Sequence, residues 1–109
     1  MSSYFRHIMA GPAWRNIYEL SESQMERLDE AEEEMQFMRI NKAESLLISI
    51  LLEDPDCIPA LNNLAHLYGR YLSDFEKAIE YYDIVLKLEP ENVWARDERR
   101  RYRRYSHYD

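Results

Sequence analysis

The chain has 109 residues, a formal charge of −7, a 46% hydrophobic share, two glycines and a single cysteine. That length holds one domain, and the hydrophobic share excludes wholesale disorder. So few glycines leave no phosphate-cradling loop, one cysteine leaves neither an internal disulfide nor metal-ligand spacing, and the acidity disfavours nucleic acid and anionic membrane.

Residues 1–20 form an aromatic segment with Tyr4, Phe5, Ile8, Met9, Trp14, Ile17 and Tyr18. Gly11-Pro12 would end a short helix there. Three readings stay open: a cover folded over the end of the repeat stack, an arm that docks into a partner or a second copy, or simple disorder. The segment lacks the continuous apolar core of a signal peptide, and no apolar run in the chain approaches the length of a membrane span. The expectation is a soluble, cytoplasmic protein.

Residues 21–56 carry the first pair of expected helices. Ser21 with Gln24 and Ser23 with Glu26 are overlapping capping boxes. Met25, Leu28, Ala31, Met35 and Met38 then recur at intervals of three and four, one stripe along a helix. Glu26, Asp29, Glu30, Glu33 and Glu34 lie on its other faces; those near the start suit the helix dipole, whereas the later ones repel one another. Ile40, Ala43, Leu46, Leu47, Ile50 and Leu51 mark a second, strongly apolar helix that stops at Pro55.

Residues 57–92 carry the second pair. Pro59 sits in a first helical turn, where proline is tolerated. Leu61, Leu64, Ala65 and Tyr68 stand at helical spacing, as do Phe75, Ala78, Ile79, Tyr82, Val85 and Leu86. Ser73 and Glu76 form a capping box between the two runs. Ile40, Ala43 and Pro55 recur 35 residues on as Phe75, Ala78 and Pro90, an internal repeat. The leading helices match only after a shift of two residues, so the turns inside the two pairs should differ in length. Cys57 lies between the pairs with nothing near it in sequence to lower its pKa; a packed thiol is expected.

Residues 93–109 read as a basic capping helix and tail. Asn92 can cap it, Asp97 and Arg101 are spaced to pair, and arginine stems can cover apolar surface while their heads stay wet.

Residues 58–92 have the length of a tetratricopeptide (TPR) repeat. Leu64-Ala65, Tyr68, Ser73-Asp74-Phe75, Ala78, Tyr82 and Pro90 resemble that family's pattern. The likeness extends more loosely over about residues 24–95. It implies an all-α architecture of antiparallel helix–turn–helix repeats in a TPR-like superhelix, with flanking terminal segments. It also implies a protein–protein interaction module (adaptor, scaffold or assembly factor) that takes a peptide or partner helix in a groove lined by the leading helices. By that resemblance Asn62, Asn63, His66 and Arg70 face the groove, with Asp29 and Glu33 from the first pair. A groove of that acidity suits a partner carrying Lys or Arg.

Two alternatives stay open in the sequence. A two-repeat core is small, and the acidic first helix could meet the arginine helix of another copy, giving a homo-oligomer. Arg99, Arg100, Arg101, Arg103 and Arg104, interleaved with Tyr102 and Tyr105, are also groups that neutralise phosphates and stack bases. No nucleophile–base pair, cofactor loop or metal spacing stands out, so neither catalysis nor a cofactor is expected.

Overall fold

A computed structural model describes residues 18–106, and those residues are all-helical, with no strand among them. In order they are α1 (Glu22–Gln36), α2 (Ile40–Glu53), α3 (Ile58–His66) continued by a π-helical turn (Leu67–Tyr71), α4 (Phe75–Leu88) and α5 (Val93–Ser106). Each packs on the next, and α1 also touches α3. Apart from Tyr18 to Leu20, the aromatic segment 1–20 lies outside the described residues.

The trailing helices repeat closely. Both α2 and α4 have 14 residues and start 35 apart. Ala43, Leu47 and Ile50 recur as Ala78, Tyr82 and Val85, all six fully buried. The residues that end them, Asp54 (φ −140°, ψ 85°) and Glu89 (φ −136°, ψ 85°), share one extended geometry. Each precedes a proline, whose ring excludes helical backbone from its predecessor.

The turns within the pairs are the same length, contrary to the sequence expectation. Residues 37–39 link α1 to α2, and residues 72–74 link the π turn to α4. Each carries one left-handed residue at the same register, Met38 (φ 63°) and Ser73 (φ 53°). The mismatch of the leading helices therefore lies inside them. In the second, the backbone widens to π hydrogen bonding, which inserts residues without lengthening the connection.

Helix starts follow local chemistry. The Ser21–Gln24 capping box forms in both directions, at 2.9 and 3.1 Å; α1 has then already begun, so Ser23 is inside it. At α4 the cap is Asp74 rather than Ser73: its carboxylate accepts from the Lys77 N–H at 3.2 Å. The left-handed backbone at Ser73 places the next side chain at the helix end, where an anion also meets the dipole. Asn92 caps α5, accepting from the Ala95 N–H at 2.9 Å.

The core is one cluster running from Leu28 through Ala43, Leu64 and Tyr82 to Tyr102. Met38 is not part of it: it sits in the turn, 65% exposed. The fully buried alanines 43 and 78 let neighbouring helices approach, and overpacking either costs about 1–3 kcal/mol. Gly69 does the same for α5. A β-carbon there would stand 2.4–2.9 Å from three ring carbons of Tyr102, so only glycine admits that ring. Tyr102 in turn stacks on Phe75 and Tyr82, with centroids 5.6 and 6.3 Å apart.

Candidate partner-binding faces

The acidic face of α1 is partly neutralised from within. Arg39 and Lys42 reach Glu34 at 3.0 and 3.3 Å, and Lys42 also lies 3.8 Å from Glu30. The hydrogen bond from Arg39 holds the Glu34 carboxyl below its ordinary range against the opposing effect of burial, and Lys42 adds to it. This explains how carboxylates are tolerated near the negative end of the helix dipole. Glu22, Glu26 and Glu33 are exposed and form no ion pair among the described residues. Asp29 is half-buried.

The α3 residues expected on the groove are divided between interior and surface. Asn62 and Asn63 are completely buried. The Asn63 amide donates to the Pro59 carbonyl at 2.7 Å, which ties it to its own helix. Neither polar atom of the Asn62 amide has a hydrogen-bond partner among the described residues. His66 is largely covered, between the rings of Tyr71 and Trp94 at 5.9 and 6.1 Å. Burial pushes its pKa down to about 4, and the guanidiniums of Arg70 and then Arg101 push the same way; the imidazole is neutral at physiological pH. Arg70 is exposed. The six residues therefore do not form one open face. Glu33 and Arg70 are at the surface, Asp29 is partly so, and the two asparagines belong to the interior.

The arginines of α5 are not equivalent. Arg99 is committed to Asp83 of α4 at 2.8 Å. Arg101 pairs with Glu98 at 3.6 Å, and Asp97 with Arg96 at 3.6 Å, so the spaced Asp97–Arg101 pair is not the one formed. Glu98 lies against the core, which raises its carboxyl pKa, while Arg101 opposes the shift. Arg100, Arg103 and Arg104 are exposed without ion pairs among the described residues. Cys57 is buried and burial raises its thiol to about 11, an inert rather than a nucleophilic state.

Sequence reasoning passed over a second feature. A pocket of about 370 Å³ lies where the π turn and the start of α4 meet α5, with Arg70 and Arg101 on its walls. Gly69 was its sequence signal: a glycine inside an apolar helical run marks a close approach.

No family model matches this chain, and no curated protein or solved structure matches it. Among the described residues, no group of three His, Cys, Asp or Glu side chains could hold a metal ion, and no helix is long and apolar enough to cross a membrane.

Proposed function

We propose that this chain is a TPR-like helical-repeat module whose work is protein–protein interaction, as an adaptor, scaffold or assembly factor. The observation that carries the reading is the recurrence of α2 as α4 at an interval of 35 residues, down to the buried alanine, the left-handed turn residue and the extended residue before proline. Stacked helical pairs expose extended faces built from successive repeats, and such faces suit peptides and partner helices. The acidic surface of α1 favours a partner segment carrying Lys or Arg, through opposite potentials that steer encounter.

Affinity capture tests this with the intact chain beside a folded variant carrying Glu26→Gln, Glu33→Gln and Arg70→Ala. These side chains are exposed, so the variant should keep the fold. A partner retained by the parent and lost by the variant, with affinity falling as salt rises, supports the reading. Identical capture by both proteins removes these residues from the interface.

A second reading is self-association, and a separate observation favours it. Ile48 and Leu52 of α2 and Ile84 and Leu88 of α4 are all exposed, Leu52 to 80%. The pairs are related by a near-repeat interval and project from both trailing helices. Sedimentation separates the readings: a dimer that Leu52→Glu and Leu88→Glu convert to monomer assigns this face to a second copy.

A further inference from the structure

The pocket beside α5 has two unlike kinds of lining. Arg70 from the π turn, Arg101 from α5 and Ser73 from the following turn supply polar groups; Phe75, Tyr102 and Tyr105 supply aromatic rings. We propose that this pocket binds a phosphate monoester carried on an aromatic ring, with the phosphate between the two guanidiniums and the ring against Tyr105. The inference is independent of which protein, if any, the repeat faces hold.

Charge is the first argument. Two cations 31 residues apart in sequence are brought to one concavity in a chain whose net charge is −7. Arg70 has no ion pair among the described residues. Arg101 meets Glu98 only at 3.6 Å, with its own side chain about half exposed. Two more carboxylates, Asp74 and Glu76, line the depression that shares Ser73 and Phe75 with this pocket, and Asp74 accepts from the Lys77 N–H. His66 is neutral and adds no charge of either sign. Arg70 is left without a carboxylate partner among the described residues and Arg101 is only loosely held, so a dianionic group can engage both guanidiniums. A phosphate monoester carries about −1.5 to −2 at neutral pH, and its oxygens match the planar fork of arginine.

Shape is the second. Tyr105 contacts Phe75 and Tyr102, with centroids 5.4 and 5.9 Å apart, yet remains 44% exposed. It offers a free ring face held in place by two others, the arrangement on which a flat ligand stacks. The backbone beneath is unusual in three independent ways: a π turn, a glycine in ring contact, and a left-handed serine. Such widened turns recur at functional sites because they redirect side chains that a regular helix would send elsewhere. Here the turn carries Arg70, which stays exposed, to the lining of the pocket that α5 borders.

Titration of the isotopically labelled full chain with phenyl phosphate at low ionic strength, followed by amide NMR, tests the proposal. Saturable shifts are expected at Gly69, Ser73 and Arg101. Arg70→Gln and Arg101→Gln should each weaken binding by about tenfold, whereas Arg104→Gln, outside the pocket, should change it less than about twofold. Tyr105→Ala should weaken phenyl phosphate while leaving inorganic phosphate unchanged. Both arginine side chains are solvent-facing, and unchanged remote amide shifts establish that the variants are folded. If either is not, Arg70→Lys, which keeps charge but loses the fork, should still weaken binding. Phosphotyrosine, whose phosphate is carried on a ring, should bind more tightly than phosphoserine, which has none; equal binding of the two would overturn the part assigned to the ring. The proposal is overturned by shifts that do not saturate, by phenol binding as well as phenyl phosphate, or by Arg104→Gln weakening binding as much as Arg70→Gln. The last result would describe a diffuse basic helix of the kind that contacts RNA.

Discussion

His66 shows how one side chain can report on the packing around it. Its folded pKa of about 4 lies below the 6.5 of an exposed imidazole, because burial and the facing arginines disfavour the charged form. The folded chain therefore binds fewer protons than the unfolded chain between those values. The resulting stability is complete above pH 6.5, declines as pH falls, and is fully lost below about pH 4. At pH 5 the loss from this group is about 2 kcal/mol. Denaturant unfolding at pH 7.5 and 5.0 should show that loss in the parent and not in His66→Gln; parallel losses in both would place the imidazole in water. Little of this was visible in sequence. A histidine between apolar positions can face either way, and the arginine that confronts it from α5 is 35 residues downstream. By contrast, Leu28, Leu64, Ala78 and Tyr82 were legible as core because helical spacing alone puts them on one side.

At the scale of elements, the docking of α5 depends on Gly69 accepting the Tyr102 ring. Gly69→Ala would force a methyl group into ring carbons that are themselves clamped by Phe75 and Tyr82, so the expected cost is about 1–3 kcal/mol. Tyr102→Ala should be destabilising by about 3–5 kcal/mol through the cavity it leaves. The double variant should lose clearly less than the sum, since the methyl group then enters vacated space. Strict additivity in thermal or urea unfolding would refute the contact. The helices themselves were readable, including the start of α1 at its serine box and the stop of α2 and α4 before proline. The π turn was not. Gly69 marks a close approach within Leu67 to Tyr71, but nothing in the short-range pattern of these residues marks the wider hydrogen bonding. The expected inequality of the two linking turns came from this same source: an offset inside a helix looks, in one dimension, like a longer loop.

For the whole molecule, the five helices form a chain of nearest-neighbour contacts with a single core running through them. Tyr18, just before α1, donates to Glu89 at 2.9 Å, and Asn92 donates to the same carboxylate oxygen at 2.9 Å. The start of the described chain is thus fastened to the junction before its last helix. Damage to the first pair should be felt in the second. Ala43→Leu is expected to cost about 1–3 kcal/mol and to lower amide protection in α4 as well as α2. Unaltered exchange in α4 would mean that the pairs open separately. The all-helical class and the 35-residue recurrence were legible because they depend on short-range pattern. How the six groove candidates divide between surface and interior was not, since burial of Asn62 and Asn63 depends on which elements cover α3.

The ring seated over Gly69 also imposes an order on biosynthesis. Residues 58–88 can coil as they leave the ribosome, but the hollow beside the glycine stays open until residue 102 has cleared the exit tunnel. During that interval Tyr82 and its neighbours lack their lid, and nascent chains are most vulnerable to sticking together while such surface is bare. Among the described helices, α5 is the one that closes the fold.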